Sequence, residues 1–132
     1  MIKFNHVALS VKNLEASRKF YEDVFGLQFQ EERAGERPEL GVRFIVLADQ
    51  QGNAIEFFES TKQVPLQEDL MDFSRHGIKH VAFTVDNIEE TLEKALANGA
   101  KIIWPVQEVG GTIKRLAFIG DPDGIPIELV EL

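Results

Sequence analysis

The sequence predicts an α+β fold made of two tandem β-α-β-β-β modules, and three observations lead there. The stretch HVALSVKN (His6 to Asn13) returns 74 positions later as HVAFTVDN (His80 to Asn87). A second block, VRFIVLADQQGNAIEFFES (Val42 to Ser60), returns 72 positions later as KRLAFIGDPDGIPIELVEL (Lys114 to Leu132). Each copy of the first block also runs directly into a helix-start pattern. Two matched blocks at nearly equal offsets mark an internal duplication, so each copy is one supersecondary unit of the same design.

The opening strand of each unit alternates. Phe4, His6, Ala8 and Ser10 share one face, and Val7, Leu9 and Val11 share the other with Asn5. His80, Ala82 and Thr84 likewise oppose Val81, Phe83 and Val85. Both histidines therefore stand on the face with the smaller side chains, which leaves the bulkier face to pack against a helix. Asn13 then caps LEASRKFYEDVF, with Leu14, Tyr21, Val24 and Phe25 as the apolar stripe and Gly26 as the stop. Asn87 caps IEETLEKALAN, with Glu90 at the third helical position, a stripe of Ile88, Thr91, Leu92, Ala95 and Leu96, and Gly99 as the stop.

The second block of each unit is a hairpin. A strand reaches an Asp-x-x-Gly turn (Asp49 to Gly52, Asp121 to Gly124), and the return strand carries a glutamate, Glu56 or Glu128. The whole of 1–132 is expected as a single domain, with residues 1–60 as the first module and 78–132 as the second. Residues 61–77, TKQVPLQEDLMDFSRHG, have no counterpart in the repeat. They read as a linker with one helical turn near Asp69 to Phe73, long enough to cover a site and equally able to be a plain connector.

Composition limits the function classes. A formal net charge of −8 argues against a nucleic-acid or anionic-membrane surface, since both need clustered Lys and Arg. The absence of cysteine excludes disulfides, thiolate metal ligands and a thiol nucleophile. No apolar run approaches the roughly 18 to 20 residues of a membrane span, and the opening residues lack a signal pattern, so a cytoplasmic protein is expected.

Four residues are candidates for chemistry. Each module contributes one histidine from its first strand and one glutamate from its last, and each glutamate interrupts an apolar strand, IEFF or IELV. An unpaired buried carboxylate costs several kcal/mol, so such a glutamate needs a partner or an exposed face. A lone strand histidine or strand-end glutamate reads as structural; finding both at matching places in two related modules points to a shared site. Two imidazoles and two carboxylates suit a divalent ion such as nickel, zinc or cobalt, and the two negative charges balance it. Arg33, Arg37, Arg43, Lys114 and Arg115 are candidate anion contacts, with Arg43 and Arg115 at matched strand positions and read first as surface or interface charges. Gly110-Gly111 reads as a loop turn. Trp104, the only tryptophan, is expected in the core or at a dimer contact.

HVALSVKNLEASRKFYEDVFGLQF, HVAFTVDNIEETLEKALANGAKI and FIGDPDGIPIELVE together resemble the vicinal oxygen chelate superfamily, the glyoxalase, bleomycin-resistance and extradiol-dioxygenase group, across essentially the whole chain. The resemblance implies a glyoxalase-like fold in which two modules form a cupped eight-stranded sheet. It places metal ligands at His6, Glu56, His80 and Glu128, a set that resembles glyoxalase I. A fourth protein ligand at Glu56 sets the chain apart from the three-ligand iron sites of the dioxygenases and favours proton transfer over oxygen insertion.

By that resemblance, the metal polarises the oxygens of a 2-oxo hemithioacetal and stabilises an enediolate. Glu128 is the catalytic base, and Glu56 acts on the opposite side. The implied partner is a small-molecule substrate, with a homodimer expected and neither nucleic acid nor membrane. Short glyoxalase I enzymes usually hold glutathione with an arginine and an asparagine where this chain has Ser10 and Ser60, and show Gly or His where it has Lys79. Those departures count against glutathione as the thiol. A methylmalonyl-CoA epimerase-like enzyme is the second reading, and a metal-free small-molecule-binding protein like those of bleomycin resistance is the third.

Overall fold

The computed structural model describes residues 1–30 and 35–132, and the chain falls into two compact units, Met1–Pro65 and Leu66–Leu132. The first unit runs β1 (His6–Ser10), α1 (Leu14–Phe25), β2 (Gln28–Phe29), β3 (Gly35–Arg37), a single 3-10 turn at Pro38–Leu40, β4 (Val42–Ala48) and β5 (Ala54–Ser60). Its sheet has the order β1-β5-β4-β2, with β3 also paired to β4. β1 lies parallel to β5 and the remaining pairs are antiparallel.

The second unit runs β6 (Val81–Thr84), α2 (Ile88–Ala97), β7 (Lys101–Glu108), β8 (Arg115–Gly120) and β9 (Pro126–Glu131), in the sheet order β6-β9-β8-β7. Again the first and last strands are parallel neighbours. The expected α+β class and β-α-β-β-β order are therefore present in both halves; β3 is an addition to the first.

Both helices begin as their sequences require. The Asn13 side chain accepts the Ala16 N–H and the Asn87 side chain accepts the Glu90 N–H, each from an extended backbone conformation. Gly26 ends α1 in the left-handed region at φ 69°, where a Cβ would be strained. α1 packs on β4 and β5, burying Leu14, Ser17, Phe20, Tyr21 and Val24, with the Tyr21 ring 4.9 Å from that of Phe57. Ser17 and Phe20 extend the expected stripe.

α2 packs on β7 and β9 and buries Ile88, Thr91, Leu92 and Ala95. Leu96 does not join them and is 46% exposed, a correction to the expected stripe. It stands about 80° round the helix from Ile88, beyond the sector that reaches the sheet.

The face of each return strand that meets its helix is the bulky one. Ile55 and Phe57 of β5 and Ile127 and Leu129 of β9 are buried, while Glu56 and Glu128, one residue out of phase, point from the opposite face. The alternation that builds the core thus delivers both glutamates to the side away from the helix.

Candidate metal and active site

In each unit the parallel pairing of first and last strands sets a histidine beside a glutamate. Ala8 is the lateral partner of Glu56, and Ala82 that of Glu128, so His6 and His80 each lie two residues earlier on the same face. His6 is the first residue of β1, and His80 immediately precedes β6. His6 Nε2 lies 3.6 Å from Glu56 Oε2, and His80 Nε2 lies 2.9 Å from Glu128 Oε2. The second pair is the more enclosed, with side-chain exposures of 26% and 13% against 35% and 18% for the first.

The rest of each imidazole differs between halves. His6 Nδ1 is 2.6 Å from Asn5 Oδ1, whereas His80 Nδ1 is buried with no hydrogen-bond partner and the ring stands edge-to-face with Phe118 at 4.9 Å. Among the described residues no group of three or more His, Cys, Asp or Glu side chains is placed to hold a metal ion. Each unit supplies a pair.

The donor pairs fit a divalent ion on geometry. An imidazole nitrogen and a carboxylate oxygen bound to one ion at about 2.0 to 2.2 Å stand about 3.0 to 3.5 Å apart. The two pairs, at 3.6 and 2.9 Å, lie close to either side of that separation with the correct atoms facing.

A family model described as the glyoxalase/bleomycin resistance protein/dioxygenase superfamily matches residues 3–129. The chain belongs to this superfamily. Among glyoxalase-superfamily relatives it is 33% identical over 129 residues to a lactoylglutathione lyase of Haemophilus influenzae, covering 96% of this chain and 90% of the other. It is 28% identical over 131 residues to a mitochondrial methylmalonyl-CoA epimerase of Dictyostelium discoideum, covering 98% and 78%. A glyoxalase family protein of Enterococcus faecalis superposes with a TM-score of 0.77 at 28% identity, covering 98% and 97% of the two chains.

For this glyoxalase-superfamily chain, two candidate anion contacts, read first as surface or interface charges, are ion-paired within their own units. Arg43 donates to Glu59 Oε2 and Glu15 Oε1, and Glu59 Oε1 accepts the Leu14 N–H at the start of α1. Arg115 repeats the device: its guanidinium donates to both oxygens of Glu131 and both of Glu89, and Glu131 Oε2 accepts the Ile88 N–H at the start of α2. The carboxyls of Glu89 and Glu131 are held below their ordinary range, chiefly by these Arg115 bonds. These arginines tie helix starts to the sheet, a role that pairwise contacts between distant elements create and that strand position alone does not reveal.

Arg37 donates to Glu39, and Arg33 lies outside the described residues. Ser60, at the position where asparagine is usual, both donates to the Lys62 carbonyl and accepts the Lys62 N–H, so its hydroxyl serves a turn. Lys79 donates to the Asp72 carbonyl. Trp104 is not a core residue; it is 36% exposed and its ring packs against Phe118 and Phe73. No helix is long and apolar enough to cross a membrane among the described residues.

Proposed function

We propose that the chain is a metal-dependent isomerase or lyase of the glyoxalase I type, acting on a small 2-oxo thiol adduct by moving a proton between adjacent carbons. The observation that carries this reading is the repeated pair: two imidazole–carboxylate pairs at the same register of two parallel strand pairs. His6, Glu56, His80 and Glu128 would hold the ion, one imidazole–carboxylate pair coming from each unit. When bound, a nickel, zinc or cobalt ion supplies Lewis-acid polarisation of two vicinal substrate oxygens, which acidifies the intervening C–H.

The side chains do the rest. Glu128 takes the carbon-bound proton and returns it to the neighbouring carbon, because a carboxylate within reach of both carbons acts as base and then as acid. Glu56 stands at the equivalent point of the first module and serves the opposite side. His6 and His80 carry no proton in the reaction; they fix the site's position on the first strands. Ser10 and Ser60 favour a thiol other than glutathione. The likeness to a methylmalonyl-CoA epimerase supports a second reading, in which the same two carboxylates exchange a proton at a carbon next to a thioester.

Elemental analysis after reconstitution with nickel, cobalt and zinc tests the metal. Uptake near one equivalent per site is expected, and less than about 0.2 equivalent would exclude the scheme in favour of a metal-free binding protein. Glu128→Gln is expected to keep most metal uptake and to lose about 100-fold or more in turnover of methylglyoxal–thiol adducts. Full activity in that variant would refute the assigned base.

A further inference from the structure

The sheet face that bears Glu128 also carries a row of aromatic rings. Ala82, Glu128, Phe118 and Trp104 are successive lateral partners across β6, β9, β8 and β7, and lateral partners project from one face of a sheet. The Trp104 ring lies 5.0 Å from Phe118 at 69°, and Phe118 lies 4.9 Å from His80 at 88°. Phe73, from the segment between the repeats, completes the wall at 5.8 Å from Trp104 and 6.3 Å from His80. The matching row of the first unit is Ala8, Glu56 and Val46, with no ring. The same face of the first unit carries Phe44 and Phe58 two residues further along, with ring centroids 5.9 Å apart, so the second half-site differs in having its rings in the row of the glutamate itself.

Two observations separate this wall from ordinary core packing. Phe118 is buried at 3% exposure, yet Phe73, against His80, keeps 53%, and Trp104, one strand beyond Phe118, keeps 36%, leaving two large apolar surfaces in water on the face of a carboxylate–imidazole pair. The turn carrying Phe73 is also well fastened. Asp69 accepts the N–H of Met71 and Asp72, Asp72 accepts the N–H and hydroxyl of Ser74, and Lys79 donates to the Asp72 carbonyl. A fixed turn that presents a half-exposed ring at 63° to an exposed indole offers an edge and a face to a flat group, the arrangement aromatic rings prefer.

We infer that Phe73, Trp104 and Phe118 form a specificity subsite for a flat aromatic substituent on the carbon next to the two oxygens. The preferred substrate class is then an aryl-substituted 2-oxo adduct, not one of methylglyoxal size. This rests on the metal-dependent reading above, and its test separates the two.

Benzohydroxamate and acetohydroxamate present the same vicinal oxygen pair and differ by phenyl against methyl. Each is titrated into the metal-reconstituted full chain, following the emission of Trp104, the only tryptophan. Benzohydroxamate is expected to bind about tenfold or more tighter and to change Trp104 emission. Phe73→Ala, at a half-exposed position, is expected to cut that preference below about threefold while leaving acetohydroxamate within about twofold. Equal affinities in a protein that holds metal would overturn the subsite alone, as would an undiminished preference in Phe73→Ala. Failure to take up metal would overturn the parent reading and the subsite with it.

Discussion

Asp121 is the residue where the repeated turn can be tested most sharply. Its carboxylate Oδ1 accepts the N–H of Asp123 and of Ile125, both at 2.9 Å, and the residue is 4% exposed. Asp121→Ala leaves two half-buried N–H donors without that charged acceptor, which costs about 2 to 4 kcal/mol after partial relief of carboxylate burial. Asp49 makes the matching bonds to Gln51 and Asn53, but both of those residues are exposed. Water replaces the lost acceptor there, so Asp49→Ala costs about 1 kcal/mol or less.

For a chain of this length, 1 kcal/mol moves the melting temperature by about 3 to 5 °C, giving a fall of about 6 to 20 °C for the first variant and at most about 5 °C for the second. Melting is followed by far-ultraviolet circular dichroism and by Trp104 emission, since Trp104 lies in the same unit as Asp121. Asp121→Asn retains an acceptor oxygen and should lose less than half as much. Equal losses at Asp49 and Asp121, or a fall below about 3 °C for Asp121→Ala, would refute the link between burial and cost. The turn also bears on function, because it sets the β8–β9 register that places Glu128 beside Phe118.

Two further outcomes follow from the helix starts. Arg115 depresses the carboxyl groups of Glu131 and Glu89 from the ordinary value of 4.5, so the stability it confers is present above that value and lost as pH falls through the lower folded-state values. Arg115→Gln should therefore lower the urea midpoint at pH 7 and flatten its decline between about pH 5 and pH 2; parallel acid profiles for variant and parent would contradict the assignment. Asn87→Ala removes the acceptor for the Glu90 N–H and is expected to cost about 1 kcal/mol in urea unfolding, with Asn87→Asp close to the parent. An unchanged midpoint in the alanine variant would show that the cap contributes nothing.

The helix caps and both Asp-x-x-Gly turns were legible from residue order because each depends on spacing within about a dozen positions, and the duplication because whole blocks recur 72 and 74 positions along. The same holds for the faces carrying His6, Glu56, His80 and Glu128. Strand alternation puts each glutamate out of phase with Ile55 and Phe57 or with Ile127 and Leu129, and parallel pairing then brings each histidine to its own glutamate. What local pattern could not supply was the fate of groups whose partners lie far along the chain. Arg43 and Arg115 read from the sequence first as surface or interface charges, and only β5, β9 and the helix starts show which carboxylates hold them.

Phe73 gives the same lesson from the other side. In sequence it is one of several apolar residues, with Val64, Leu66, Leu70 and Met71, in a connector that has no counterpart in the repeat to place it. Folding sets it against Trp104 and His80, and Trp104 takes its place on that face only through the pairing of β7 with β8, which shifts register on both sides of it. Short-range periodicity and turn chemistry therefore determined the two modules and the donor residues within them. Tertiary packing decided which charges were already spoken for and which half-site received an aromatic wall, because both depend on contacts between segments whose separation no residue-level preference encodes.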